Sequence, residues 1–322
     1  MRNIKKPLPK EATEESDRKR LPLRQPEIQL LVTRGWEDYE LLDSGGGQKL
    51  ERFGPYTLVR PEHQAIWAKS LPEERWQQIH AVLQPTGDES GGRWENYQPL
   101  KTPWKMRYKD LRFICFTANS RHVGVFPEQS PHWDWMRERI ARQNPSAANP
   151  VKVLNLFGYT GLATLTASLA GAQVTHVDAS KKSILLAREN QSLSGLDERP
   201  IRWLVDDAFK FVRREVRRGS KYDGIVLDPP KFGRGPQGQV WELFDSLPEL
   251  LQNCRQILSD RPLFIILTAY AIRASAVTVF YALEEAVAKL GGKVESGELA
   301  LEEKSSGKLL STAIYARWEA DV

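Results

Sequence analysis

The second half of the chain alternates between two patterns of hydrophobic and polar positions. Short apolar runs rich in branched residues predict buried strands, and longer stretches with apolar positions three and four apart predict helices. From residue 150 this strand-and-helix unit recurs five times, and two further strands, predicted at 298–303 and 309–318, end the chain. This order is typical of an α/β fold with a mostly parallel sheet and a terminal antiparallel hairpin.

The first part of the chain has a different pattern. Between residues 25 and 145, short strand-like runs are separated by glycine and proline turns, and one helical spacing covers residues 71–83. Two strands are predicted to pair at 112–118 and 122–126. Seven of the ten tryptophans lie here, and we interpret most of them as core residues of a β-rich α+β domain. Segment 104–109, where a tryptophan adjoins basic side chains, is the best candidate for an RNA contact.

These patterns divide the chain into three parts. Residues 1–24 are mostly charged and predict a disordered tail. Residues 25–145 form the β-rich accessory domain, which is a candidate for RNA binding. A small, polar segment with two prolines, 143–150, leads into the α/β domain, which we assign to residues 146–322.

Composition limits the class of protein. The net charge of +5 is compatible with a polyanionic partner such as nucleic acid. The two cysteines, Cys115 and Cys254, are far apart, and the five histidines lack ligand spacing, so we predict neither a disulfide framework nor a metal site. No apolar run reaches the roughly 18 residues of a membrane span. We therefore expect a cytoplasmic protein that does not enter a membrane, and its oligomeric state stays open.

The stretch that begins at residue 151 predicts a ligand site. An apolar strand leads into the loop 157–161 (FGYTG), and a helix follows. A glycine turn between strand and helix opens a nucleotide-type site in doubly wound folds. Dinucleotide-binding loops carry the spacing G-x-G-x-x-G, whereas the spacing here is G-x-x-G, which favours a ligand without a pyrophosphate. Asp178 ends the next strand, where a carboxylate can accept both hydroxyls of a ribose.

Two further acidic segments follow predicted strands. Asp206 and Asp207 come directly after the third strand, where a carboxylate can accept a hydrogen bond from an adenine amine or can cap the next helix. The fourth strand ends in 228–232 (DPPKF). Its two prolines remove two backbone donors, so the loop presents carbonyls between a carboxylate and an aromatic ring. These groups suit the edge and face of a planar base. Residues 233–238 predict a flexible basic loop, which either closes over substrate or is an ordinary mobile loop.

Four segments together resemble class I S-adenosylmethionine-dependent methyltransferases. They are 155–161 (NLFGYTG), 177–180 (VDAS), 206–209 (DDAF) and 228–232 (DPPKF). Within that class they are similar to the bacterial 23S rRNA base methyltransferases, which include cytosine-5 and guanine-N7 enzymes. Segment 125–129 (VFPEQ) resembles the part of those enzymes that caps the cofactor. The arginine that usually follows its glutamine is Ser130 here.

The resemblance implies S-adenosylmethionine as the cofactor and assigns roles to individual residues. The cofactor-binding residues would be Gln129, Phe157, Gly158, Tyr159, Thr160, Gly161, Asp178, Ala179, Asp206, Asp207 and Ala208. The catalytic residues, which hold the substrate base, would be Asp228, Pro229, Pro230, Lys231 and Phe232.

The sequence differs from the resembling enzymes at the residue that cytosine-5 methylation requires. That reaction needs a cysteine thiolate, which follows the fifth strand in the resembling enzymes, and residues 267–271 (LTAYA) contain none. We therefore predict methylation of a base nitrogen in RNA, and rRNA is the expected substrate. Three alternatives remain: a methyltransferase of the same fold that acts on a small molecule or protein, an inactive RNA-binding protein, and a nicotinamide oxidoreductase, which the missing third glycine disfavours.

Overall fold

A computed structural model describes residues 25–86, 91–146, 148–270 and 272–321. The tail predicted at residues 1–24 lies outside the described residues. The strands of the described part are β1 (Ile28–Val32), β2 (Tyr39–Gly45), β3 (Gln48–Phe53), β4 (Tyr56–Pro61), β5 (Ala81–Pro85), β6 (Gly92–Asn96), β7 (Trp104–Tyr108), β8 (Leu111–Cys115), β9 (Lys152–Leu156), β10 (Gln173–Asp178), β11 (Ile201–Val205), β12 (Gly224–Leu227), β13 (Phe232–Arg234), β14 (Val240–Glu242), β15 (Phe264–Tyr270), β16 (Lys293–Glu302) and β17 (Leu309–Glu319). Its α-helices are α1 (Glu73–Gln77), α2 (Ser130–Arg142), α3 (Leu162–Leu169), α4 (Lys181–Leu193), α5 (Ala208–Arg218), α6 (Leu243–Gln256) and α7 (Ala276–Val287).

An eight-stranded sheet organises the second half of the described chain. Its spatial order is β1-β16-β17-β15-β12-β9-β10-β11. Neighbouring strands run parallel except at β17, which is antiparallel to both β15 and β16. The predicted α/β fold with a terminal antiparallel hairpin is confirmed. The strand order reverses between β9 and β12, and ligands bind at the carboxyl ends of the strands beside such a reversal.

The helices of this domain form where the sequence supplies both a buried face and end caps. Asp207 caps α5 by accepting a hydrogen bond from the backbone N–H of Lys210 at 2.8 Å, and Gly219 ends the helix with φ +66°. Phe211 and Val212 face the core, whereas the arginines of α5 face outward. The central strands β9, β12 and β15 are apolar and buried on both faces, as expected for parallel strands covered by helices.

The N-terminal region contains a five-stranded sheet, β2-β3-β4-β5-β6, and a two-stranded ribbon, β7-β8. The helix predicted over residues 71–83 is wrong, because α1 covers only Glu73–Gln77 and residues 81–85 form β5. Strand β5 pairs with both β4 and β6, and these non-local pairings override the helical spacing. The ladder predicted between 112–118 and 122–126 does not form, because β8 pairs with β7 and residues 122–126 form no strand, although the N–H of Phe116 donates to the carbonyl of Val123 at 3.2 Å.

The tryptophans of this region are buried or half-buried, as interpreted from the sequence. Trp76, Trp104 and Trp133 are each at most 7% exposed. Trp36 and Trp67 donate their indole N–H groups to Ser130 and Ser44, respectively. These side chains fill a core and do not form an exposed stacking surface.

Two features join the N-terminal region to the large sheet. Strand β1 pairs in parallel with β16, so it extends the sheet of the second domain. The buried carboxylate of Asp43 accepts hydrogen bonds from the backbone N–H of Leu71, the indole of Trp76 and the hydroxyl of Ser305. Ser305 lies in the turn between β16 and β17. The two regions therefore share a sheet and a polar network. The domain boundary at residue 145 stays a prediction.

Candidate active site

The glycine loop after β9 has an unusual backbone. Phe157, Tyr159 and Gly161 have φ values of +56°, +49° and +87°, which lie in the left-handed region. Gly161 precedes α3 as its N-cap, and its N–H donates to the carbonyl of Gly158 at 3.0 Å. The sequence predicts that Gly158 and Gly161 both free the backbone to turn sharply. The structure assigns that role to Gly161, since Gly158 does not have a positive φ.

Gly158 is required for space. A Cβ atom there would lie 2.3 Å from His176 Cε1 and 2.9 Å from Asn155 Nδ2. Both side chains are buried, and both bind the hydroxyl of Thr164 at 2.9 Å. Burial lowers the pKa of His176 to about 3, so the imidazole is neutral. This polar network forms a fixed floor under the loop, which leaves room above it for a ligand.

We expect Gly158→Ala to distort this loop. The added methyl group collides with a packed floor, so the free energy of unfolding should fall by about 2 kcal/mol. The affinity for S-adenosylhomocysteine should fall at least tenfold, as measured by calorimetry. Gly195→Ala is the control for affinity, because its methyl group would meet no atom within 4 Å, although its φ of +68° strains an alanine and lowers the stability. It should leave the affinity unchanged. An unchanged affinity in Gly158→Ala would show that the loop does not contact the ligand.

Asp178 ends β10 beside this loop. Its two carboxylate oxygens accept the backbone N–H groups of Tyr159 and Ser180, each at 2.8 Å. Burial raises the pKa of Asp178, and the two hydrogen bonds oppose that effect. Ala179 follows, half-buried, before the N-cap Ser180. The carboxylate thus fixes the left-handed Tyr159, and each oxygen retains a lone pair that can accept a further donor.

The two carboxylates after β11 have different partners. Asp206 accepts the N–H of Asp207 at 2.9 Å and forms an ion pair with Arg214. Asp207 caps α5 through Oδ1, as the sequence allowed, and Ala208 is the first residue of that helix. A Cβ atom at Gly235 would lie 2.8 Å from Asp207 Oδ2, so the loop after β13 approaches this carboxylate. Adenine contacts by Asp206, Asp207 and Ala208 stay predictions.

The DPPKF segment leaves β12 at the point where the strand order reverses. Gln129 Nε2 donates to Asp228 Oδ2 at 3.1 Å, and Thr268 donates to Gln129 Oε1 at 3.4 Å. Burial, together with repulsion from the Glu128 carboxylate, raises the pKa of Asp228 to about 7. A carboxyl group of this kind changes its charge near neutral pH, which is typical of functional sites.

The rest of the segment forms one side of a short hairpin. The carbonyl of Pro230 accepts the indole N–H of Trp241 at 2.7 Å, and the Trp241 ring packs on Phe157 at 5.1 Å. Phe232 begins β13 and is 51% exposed. Lys231 and Pro230 are also exposed, whereas Pro229 is buried. Strands β13 and β14 pair where the sequence indicated a flexible basic loop, and the Trp241 contacts attach this hairpin to the glycine loop.

A narrow cleft, partly open to solvent, connects several of these groups. The predicted site residues in its wall are Gln129, Phe157, Gly158, Tyr159, Thr160 and Asp228. The residues Gly161, Asp178, Ala179, Asp206, Asp207, Ala208, Pro229, Pro230, Lys231 and Phe232 lie around the same edge of the sheet but outside this wall. Phe126 and Asn155, which belong to the VFPEQ and NLFGYTG segments but were not predicted as site residues, also line the cleft, as do His132 and Thr268. The local sequence of His132 and Thr268 offers no signal, since buried residues of these types occur throughout ordinary cores.

This edge of the sheet suits a ligand that is rich in hydrogen-bond donors. Carboxylates end three strands, β10, β11 and β12, and can accept hydroxyl, amine or ammonium groups. Gly158 and its neighbours Phe157, Tyr159 and Thr160 line the cleft beside these carboxylates. Both observations fit S-adenosylmethionine, which carries ribose hydroxyls, an adenine amine and an ammonium group.

Comparison with known proteins decides the family. The model of the S-adenosylmethionine-dependent methyltransferase family matches residues 65–261, which is more than half of the chain. The chain belongs to this family. A crystal structure of an S-adenosylmethionine-dependent methyltransferase from Agrobacterium tumefaciens is 47% identical, with a TM-score of 0.86, over 92% of this chain and 97% of the other. The predicted class I methyltransferase fold and the predicted cofactor, S-adenosylmethionine, are therefore confirmed for this protein.

Curated relatives match a shorter part of this methyltransferase. Ribosomal RNA large subunit methyltransferase I of Klebsiella pneumoniae (strain 342) is 45% identical over 82 residues, which are 25% of this chain and 20% of the relative. The protein of the same name from Aeromonas salmonicida is 37% identical over 123 residues, or 38% and 28% of the two chains. The match thus spans a fifth to little more than a quarter of these relatives.

Membrane-spanning helices and clusters of metal ligands are both absent from the described residues. No helix among them is long and apolar enough to cross a membrane. They also contain no group of three or more His, Cys, Asp or Glu side chains that could hold a metal ion.

Proposed function

We propose that the protein transfers a methyl group from S-adenosylmethionine to a nitrogen of an RNA base, with rRNA as the substrate, in the cytoplasm. The observation that carries this proposal is Asp228. Its carboxyl group forms part of the cleft wall at the strand-order reversal, and Gln129 fixes its orientation.

The residues of the DPPKF segment have distinct roles in this proposal. S-adenosylmethionine, when bound, supplies a methyl group on a positively charged sulfur. Asp228 accepts a hydrogen bond from the substrate amine and takes the proton that the nitrogen loses on methylation. The carbonyl of Pro229 accepts the second N–H, and the exposed ring of Phe232 stacks on the base. Lys231 contacts a base oxygen or phosphate. The substrate base is thereby aligned with the methyl group.

The cysteines support a nitrogen as the acceptor atom. Methylation at carbon 5 of cytosine needs a thiolate that adds to the ring. Cys115 and Cys254 are the only cysteines of the chain, and both are fully buried. Burial raises the pKa of each thiol, which disfavours the thiolate. A ring nitrogen or an exocyclic amine needs no such covalent assistance.

Two observations support RNA as the substrate. The curated relatives, which match only part of this chain, are named for ribosomal RNA methylation. The ribbon β7-β8 also presents Lys105 and Arg112 outward, while Trp104 faces the core. Arg107, on the same outward face, is paired with Glu37. Lys105 and Arg112 are therefore the side chains of this ribbon that we assign to the RNA phosphates.

Transfer of a labelled methyl group tests the substrate. We expect label from S-adenosylmethionine to enter rRNA, on a base nitrogen identified by mass spectrometry of nucleosides. The double variant Lys105→Glu/Arg112→Glu should bind RNA at least about tenfold more weakly at 0.15 M salt, because it loses two phosphate contacts. Its affinity for S-adenosylhomocysteine should not change. Lys152→Glu is the control, because Lys152 begins β9 at the edge of the sheet opposite the candidate active site. Label found only in protein or small molecules would contradict the RNA proposal.

A further inference from the structure

His132 lies in the wall of the cofactor cleft, and its polar atoms have no hydrogen-bond partner in the part of the chain that the structure describes. It belongs to the first turn of α2, is 2% exposed and lines the cleft together with Gln129 and Thr268. Neither Nδ1 nor Nε2 has a hydrogen-bond partner among the described residues. Its one close ring contact is the edge-to-face packing of Tyr315 at 4.9 Å.

An imidazole in this position needs a partner from inside the cleft. Buried polar groups in folded proteins are nearly always hydrogen-bonded, because an unpaired one loses its hydration without compensation. Burial, with a smaller effect of the Arg317 charge, lowers the pKa of His132 to about 3. The neutral ring carries one N–H donor and one acceptor nitrogen, so the N–H can donate to an acceptor group inside the cleft.

The strand order indicates which end of the cofactor reaches this position. Asp178 and Asp207, the candidate ribose and adenine residues, follow β10 and β11 on one side of the reversal. The cleft extends from Asn155 of β9 across the reversal, where Val226 of β12 and Thr268 of β15 line it. A cofactor with its adenosine over β10 and β11 therefore directs its amino-acid end into the cleft, towards α2.

We propose that His132 binds the amino-acid end of S-adenosylmethionine, donating the N–H of one ring nitrogen to the carboxylate. This inference rests on the family's cofactor and adds a binding residue that no sequence motif indicates. The other source of a partner is ordered water, which would satisfy the ring nitrogens without the cofactor. The two cases differ in their effect on ligands that lack the amino-acid end.

Calorimetry with two ligands separates the two cases. S-adenosylhomocysteine has the amino-acid end, whereas 5′-methylthioadenosine has the same adenosine and sulfur without it. We expect His132→Phe to weaken S-adenosylhomocysteine binding at least about tenfold, or about 1.4 kcal/mol. Its affinity for 5′-methylthioadenosine should stay within about twofold of the wild-type value. His132→Gln, which keeps a donor and an acceptor, should recover part of the loss.

The matched control is Tyr315→Phe. Its hydroxyl is also buried without a partner and the ring packs on His132, but Tyr315 does not line the cleft. This variant should bind both ligands as the wild type does. An unchanged affinity of His132→Phe for S-adenosylhomocysteine, or an equal loss for both ligands, overturns the proposal. If His132→Phe fails to fold, the same comparison of ligands is made with His132→Gln and His132→Leu. A wild-type protein that binds neither ligand would instead contradict cofactor binding itself.

Discussion

Asp228→Asn is expected to lower the rate of methyl transfer about 10³-fold while cofactor affinity stays within threefold. Asparagine keeps the size of the side chain and a contact with Gln129, but it cannot take up the proton that the substrate nitrogen releases. Loss of a positioned base typically lowers a rate by about 10²–10⁴-fold. Single-turnover transfer of labelled methyl groups measures the rate, and calorimetry with S-adenosylhomocysteine measures the affinity.

The control for this variant is Asp223→Asn. Asp223 precedes β12 at the opposite edge of the sheet, where Oδ2 accepts the N–H of Lys152 at 2.7 Å. It should transfer methyl groups at a rate close to that of the wild type. A rate of Asp228→Asn within tenfold of the wild-type rate would remove Asp228 from the reaction.

The pH dependence provides an independent readout of the same group. Because the pKa of Asp228 is raised to about 7, its carboxyl group is protonated below that pH and cannot accept the amine proton. We therefore expect kcat/KM to rise as the pH increases through about 7 and to level off above it. The rise should be absent in Asp228→Asn. A wild-type profile that is flat between pH 6 and about 8 would show that the carboxylate is not the active form.

Asp178→Ala should weaken S-adenosylhomocysteine binding about 100-fold. The proposed contacts with the ribose are two charge-assisted hydrogen bonds of about 1.5 kcal/mol each, and a hundredfold loss corresponds to about 2.8 kcal/mol. The variant also frees the N–H groups of Tyr159 and Ser180, which fix the glycine loop.

Comparison with adenine, which lacks the ribose, tests the role of Asp178. If Asp178 binds the hydroxyls, the variant should lose much more affinity for S-adenosylhomocysteine than for adenine. Equal losses would indicate that Asp178 acts only by shaping the loop. Asp223→Asn again serves as the control, and thermal unfolding shows whether each variant is folded.

Local signals were sufficient for the elements that surround the site. The sequence predicts a helix at 181–193, a strand at 201–205 and a helix at 208–218, and these are the bounds of α4, β11 and α5 because each helix has an N-cap and the strand is mostly apolar. The helix predicted at 71–83 failed because β4 and β6 pair with residues that have an ambiguous spacing. The addition of β1 to the large sheet was also missed, since a pairing between residues 28–32 and 296–300 leaves no local pattern.

The sequence by itself determined the family and the carboxylates of its site. Residues at the ends of strands can be located from the sequence, because a strand end is marked by neighbouring residues such as the glycines and prolines of the turn that follows. Only the tertiary structure decided that Gly158 covers His176, that Gln129 orients Asp228 and that His132 faces the cleft. The physical reason is that a buried polar side chain has the same local pattern whether it faces a core or a ligand. Its partners come from distant segments, and only the packed fold brings those segments together.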